Sequence, residues 1–272
     1  LYGSCRNEKH QNKKEGKNMN TLFCAASSSA YDLTLNILYI VALCFIPAVL
    51  WALYVSIKVK IVFNRYNQVN SKKGTPAYMV ARQILDSEGL TDVQIGRCSG
   101  SLSDHYDPRS KTVVLSDSVY NSSAIAAIGV AAHEVGHAIQ HAKNYAPVKI
   151  RRALVPVLNL SSKLLIPVLI LNILLSIFLP VSSNVPTAIY YVLLAVFGLN
   201  LLFALVTLPV EFNASNRAKE ILDVMAILDD NEIRGVSRVL RTAAMTYVAS
   251  FVITLIQFAR ILLIVMASRK KD

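Results

Sequence analysis

The stretch SAIAAIGVAAHEVGHAIQHA, residues 123–142, decides how the rest of the chain is read. Its alanine-rich run behind a cap at Ser122 or Ser123 predicts a long helix, and Pro147 ends the short segment after it. Within it stands His133-Glu134-Val135-Gly136-His137, the HExxH pattern. Two imidazoles four residues apart lie one turn above each other and can hold one zinc ion, with the glutamate between them directed at a metal-bound water. Zinc lowers the pKa of that water and polarises a peptide carbonyl, while the carboxylate takes the proton and later delivers it to the leaving amine. The pattern therefore points to metal-assisted peptide hydrolysis. The alternative is a pair of histidines on an ordinary helix. Against it, Ala126, Ala127, Ile128, Val130, Ala131, Ala138 and Ile139 surround the ionisable stripe with apolar side chains, which is costly unless a metal or partner satisfies that stripe.

Catalytic zinc usually takes three protein ligands and keeps a fourth position for water. His141 is nearest in sequence, but eight residues place it about 12 Å along the axis from His133. No glycine among Ala138, Ile139 and Gln140 folds the chain back, so His141 reads as a neighbour of the site. Glu211, in LPVEFNAS at 208–215, is the better candidate; the alternative there is an interfacial glutamate stabilised by a helix dipole.

Working outward, the chain of 272 residues is 54% hydrophobic and 17% charged, with a mean hydropathy of +0.44. That is too apolar for an ordinary soluble domain and excludes disorder. A formal charge of +11, from 28 Lys and Arg against 17 Asp and Glu, belongs to connecting segments facing anionic headgroups. No basic stretch is interleaved with aromatics, so nucleic acid is not an expected partner. Cys5, Cys24, Cys44 and Cys98 stand far apart, which argues against a disulfide framework or a cysteine zinc site. The polar stretch 1–18 reads as an extension upstream of Met19.

Apolar runs of the length needed to cross a bilayer predict spans at 35–57, 164–180, 187–209 and 245–267, the last compromised by Gln257 and Arg260. They leave an N-terminal tail at 1–34 and polar segments at 58–163 and 210–243. Those two segments carry 19 of the Lys and Arg residues, against 8 on the opposite side, which places them in the cytoplasm. Lys149 to Lys163 reads as an amphipathic basic stretch along the headgroups. Within 58–163, Thr75-Pro76 opens a helix through Met79, Val80, Ile84 and Leu85 that Gly89 closes. Val93–Ile95 and Thr112–Leu115 predict a small sheet around a loop at Asp107-Pro108. Ile221, Leu222, Met225 and Leu228 predict a further helix in 210–243.

HEVGHAIQH at 133–141, the preceding Asp104-His105-Tyr106-Asp107-Pro108 with Val113-Val114-Leu115-Ser116, and LPVEFNASNRA at 208–218 resemble the YugP-type neutral zinc metallopeptidases of bacterial membranes. The arrangement is more distantly similar to gluzincin-type membrane proteases, and the likeness covers nearly everything from Met19 onward. It implies an α-helical integral membrane protein with a small α+β zincin-like catalytic domain. It also implies one catalytic Zn2+ held by His133, His137 and Glu211, with Glu134 as the base. Ser215 departs from the wider pattern, where an aspartate one turn after the glutamate orients a zinc histidine. The resemblance further implies that Thr112–Ser116, with Val113 and Val114, is an exposed edge strand holding an extended peptide. His105 and Tyr106 either join that site or only pack a turn.

The expected protein is a multi-pass zinc endopeptidase of the cell membrane, its catalytic domain on the cytoplasmic face. Its partners are the lipid bilayer and membrane proteins or membrane-proximal peptides as substrates. The alternative is a membrane scaffold or transporter-like protein with a structural or regulatory zinc. The oxyanion donor is open among Tyr106, His105, His141, Arg241 and Tyr247.

Overall fold

A computed structural model describes residues 43–178 and 184–269. The order of elements is helix α1 (Leu43–Asn67), α2 (Ala77–Ser87), strands β1 (Gln94–Cys98), β2 (His105–Asp107) and β3 (Thr112–Ser116), then α3 (Asp117–Tyr120), α4 (Ile125–Ala142), α5 (Ala146–Phe178), α6 (Asn184–Val224) and α7 (Asp230–Arg269). Among the described residues, three helices are long and apolar enough to cross a membrane: Leu43–Asn67, Ile189–Val224 and Asp230–Met266. The expected span at 164–180 falls on the second half of α5, which is helical to Phe178, and Leu179 and Pro180 lie outside the described residues. The tail at 1–34 and the start of the first expected span lie outside them too.

Four long helices, α1, α5, α6 and α7, run through boundaries that hydropathy suggested. Pro209 lies inside α6, so the helix that leaves the apolar stretch continues unbroken past Glu211 to Val224. The proline costs one intrahelical bond, the one Leu205 would accept, and the helix continues through it. A tight turn at Met225–Asp229 reverses it, with Ala226 at φ +48° and the Ile227 N–H donating to the Leu222 carbonyl at 3.0 Å. The start of α7 is held by a reciprocal cap: Asp229 accepts from the Glu232 N–H and Glu232 from the Asp229 N–H, both at 2.8 Å.

The sheet has the order β1-β3-β2, with β3 parallel to β1 (Gln94 opposite Thr112 through Cys98 opposite Ser116) and antiparallel to β2 (His105 opposite Val114, Tyr106 opposite Val113). This corrects the expectation for Thr112–Ser116. That segment is the central strand, with Val113 fully buried and its backbone paired on both sides, so Val113 and Val114 have no free edge to offer a substrate. The reason is the third strand, His105–Asp107, formed where a loop was expected. The strand edge on the α4 side is therefore β2.

Helix α4 is the axis of the domain. Ala126, Ala127, Ile128, Ala131 and Val135 are completely buried against a core that includes Val80, Ile84 and Leu85 of α2, Leu115 of β3, Ala218 and Leu222 of α6 and Val236 and Leu240 of α7. Its cap is Ala124 rather than a serine side chain; the Ala124 N–H donates to the Ser122 hydroxyl at 3.2 Å, and the Ile125 N–H to the Val69 carbonyl at 2.9 Å.

Candidate active site

The site arises where α4 and α6 touch. A Cβ placed on Gly136 would lie 2.8 Å from the Ala214 carbonyl oxygen, so the absence of a side chain between the two histidines lets backbone meet backbone. Ala214 and Ala218 are fully buried at this contact. Glu211, one turn before Ala214, is thereby set against His133 and His137.

The geometry of the three side chains is specific. The Nε2 atoms of His133 and His137 lie 3.4 and 3.5 Å from the same atom, Glu211 Oε2. That oxygen is buried and has no hydrogen-bond partner among the described residues, an expensive condition for a carboxylate. Donors each about 2.0–2.1 Å from one tetrahedral zinc stand about 3.4 Å apart. The donor set thus fits zinc, and the otherwise unsatisfied oxygen gains a partner when the ion binds. At His137 burial works against a charged ring, while the Glu211 and Glu134 carboxylates and the Gln140 side chain raise its pKa. Among the described residues His133, His137 and Glu211 form the one group of three such donors.

Each donor is held from behind. The Ser215 hydroxyl lies 3.1 Å from His133 Nδ1, where the sequence led to a weaker stand-in for aspartate. Gln140 places its Oε1 3.0 Å from His137 Nδ1 and donates through Nε2 to the Val210 carbonyl at 2.8 Å and to Asn213 Oδ1 at 3.0 Å. Fully buried, Gln140 ties one histidine to the helix that carries Glu211. Arg151 of α5 donates to Glu211 Oε1 at 3.0 Å, its guanidinium 5.9 Å from the Phe203 ring centroid. One carboxylate oxygen is pinned and the other left for the metal. These fixed second partners orient ligands and tune a metal site.

A cavity of about 150 Å³ opens onto this cluster. Its walls include Val59 and Phe63 of α1, Glu134 of α4, Glu211 and Ser215 of α6 and Tyr247 of α7. Glu134 itself is 8% exposed. Leu102 and Asp104 close the cavity from the β1–β2 connection, Leu102 with φ at +58°. Asp104 accepts from the Ser116 N–H at 2.7 Å and from its hydroxyl at 3.1 Å, while burial raises its pKa against those bonds.

Other expected residues stand outside the cavity. The His141 ring lies 5.5 Å from that of Tyr106, a turn beyond His137 and away from the donor set. Burial lowers its pKa, helped by His137, Arg152 and Arg151. His105 is exposed, its Nδ1 2.9 Å from the Ser103 carbonyl. Reading the sequence missed Arg151, Gln140 and Asn213. Arg151 stood in a basic run that suits headgroups equally well; Gln140 carried a signal in its place three residues after His137, on the same helix face.

The family described as "Putative neutral zinc metallopeptidase" matches residues 41–266. The protein named "Putative membrane protease YugP" of Bacillus subtilis (strain 168) is 40% identical over 222 residues, which cover 82% of this chain and 93% of that one. No solved structure matches the chain. With the HExxH helix and its carboxylate partner assembled in space and most of the length matched, the chain belongs to the neutral zinc metallopeptidase family.

Proposed function

We propose that this protein is a membrane-embedded zinc-dependent endopeptidase that cleaves membrane proteins or membrane-proximal peptides. The observation that carries the reading is the convergence of both histidine Nε2 atoms on one unpartnered Glu211 oxygen, with Glu134 lining the adjoining cavity. His133, His137 and Glu211 hold the ion. When bound, zinc supplies an electrophile for the peptide carbonyl and acidifies water. Glu134 takes the proton from the attacking water and returns it to the departing amine; its burial favours the transfer by excluding competing solvent. Ser215 and Gln140 fix the imidazoles, and Arg151 keeps the Glu211 carboxylate from turning. An extended substrate pairs along the free edge of β2 and passes over α4 to the catalytic glutamate.

The membrane supports the choice of substrate. Besides α4, the cavity is walled by α1, α6 and α7, the three helices among the described residues that are long and apolar enough to cross a bilayer. Their uncharged stretches end beside it: α1 carries no charge from Leu43 to Ile57, and Glu211 is the first charge on α6. The cleaved bond then lies near headgroup level. In this reading 58–163 and 210–243 face the cytoplasm between four spans, 35–57, 164–180, 187–209 and 245–267, with the basic residues of those segments on the inner side.

A Glu134→Gln variant, purified in detergent beside the wild type, tests the assignment. It should keep one zinc per chain and lose cleavage of a model single-span substrate. Undiminished proteolysis by the pure variant refutes the role of Glu134.

A further inference from the structure

Hydrolysis needs a donor aimed at the oxygen that gains charge, and the cavity narrows the choice to one side chain. Its polar wall residues are Asp104, His133, Glu134, Glu211, Ser215 and Tyr247. Both Asp104 oxygens are engaged by Ser116, and a carboxylate accepts rather than donates. His133 faces Glu211 through Nε2 and Ser215 through Nδ1, which occupies the serine as well. Glu134 and Glu211 are already assigned. Among the described lining residues only the Tyr247 phenol remains, and it shares the cavity wall with His133, Glu134 and Glu211. The other eligible donors, Tyr106, His105, His141 and Arg241, do not line the cavity.

The sequence of α7 explains how a tyrosine comes to be there. Val236, Leu240, Ala243 and Tyr247 recur at three- and four-residue spacing, one face of a helix. Val236 packs against Gly129 of α4, and Leu240 and Ala243 are cavity wall. Small residues at Ala243 and Ala244 leave the room into which the next turn presents its ring.

Resting on the hydrolytic reading above, we propose that Tyr247 is a catalytic residue whose hydroxyl donates to the oxyanion of the tetrahedral intermediate. As the water oxygen bonds to the carbonyl carbon, its proton passes to Glu134 and the carbonyl π pair moves onto oxygen. Tyr247 donates a hydrogen bond to that oxygen and keeps its proton throughout. The oxygen pair then re-forms the carbonyl, the C–N bond breaks, and the amine nitrogen takes the proton from Glu134.

The test is Tyr247→Phe in the full-length zinc-loaded protein in detergent, which deletes one oxygen from a side chain that otherwise packs unchanged. Zinc content should stay at one per chain. With fluorescein-labelled casein, kcat should fall about 100- to 1000-fold, the cost of removing one oxyanion donor, with KM within about threefold. A phosphonamidate analogue of Leu-Leu, tetrahedral and anionic where the intermediate is, should bind the variant at least tenfold more weakly than wild type. The corresponding Leu carboxylate product should bind both alike. A kcat within threefold of wild type, equal binding of the analogue by both proteins, or loss of zinc from the variant overturns the proposal. The Glu134→Gln protein serves as the blank. If wild type does not exceed it, the hydrolytic reading fails on its own account, and binding of the analogue still decides the role of Tyr247.

Discussion

Gly136→Ala places a methyl group where α4 and α6 are closest, and its effect can be worked out from one distance. In an unconstrained helix the change would stabilise by about 1 kcal/mol through helix propensity. Here the new Cβ would meet the Ala214 carbonyl oxygen at 2.8 Å and the Ala214 Cα at 3.3 Å. Backbone cannot step aside as a side chain can, so the helices must separate by roughly 0.5 Å to restore ordinary contact, an overpacking cost of about 1–3 kcal/mol. The separation falls on the vector joining Glu211 to the histidines, whose 3.4 and 3.5 Å spacings already suit a metal. Metal bonds tolerate only about 0.2 Å of error, so zinc affinity should fall about 10- to 100-fold. Competition with a fluorescent zinc chelator measures the affinity, and unfolding in detergent with and without zinc measures the packing. Gly198→Ala is the control: its Cβ would lie 3.4 Å from the Phe258 ring, an ordinary contact, and should leave zinc binding unchanged. A Gly136→Ala protein that holds zinc as tightly as wild type and unfolds no earlier would refute the account of why glycine stands there.

Glu211→Ala should abolish stoichiometric zinc, measured by metal analysis, because it removes the oxygen on which both imidazoles converge and leaves Arg151 facing an apolar gap. Arg151→Met should weaken zinc binding about tenfold and broaden the visible spectrum of the cobalt-substituted protein, since the carboxylate it pins becomes free to turn; an unchanged spectrum counts against the pinning. Gln140→Leu should destabilise by about 1–3 kcal/mol in chemical unfolding, because the Val210 carbonyl and Asn213 lose a buried donor. For His141 the folded pKa is depressed, first by burial and then by His137 and the neighbouring arginines. The unfolded chain therefore takes up its proton first as pH falls. Stability should drop through the window below the ordinary histidine value, and His141→Gln should flatten that limb in unfolding followed in the presence of a chelator.

The residues themselves determined the chemistry: His133 and His137 a turn apart with Glu134 between them say zinc and hydrolysis on local helical geometry alone. The apolar runs say membrane, because length and lack of charge suffice for that reading. What only the tertiary structure decided is everything requiring two distant segments to meet. Glu211 meets both imidazoles because Gly136 admits the Ala214 backbone, and that contact lies between α4 and α6, far apart in the chain. The strand at 112–116 turned out central because His105–Asp107 pairs with it, and three residues are too few for a period to register in sequence. Arg151 reads as a headgroup contact until α5 is seen to bring it to the carboxylate. Tyr247, one of five eligible donors in the sequence, is singled out only when α1, α4, α6 and α7 close around a cavity. Local periodicity encodes faces and spans, whereas a catalytic site is a set of distances between elements, fixed by packing that no single segment contains.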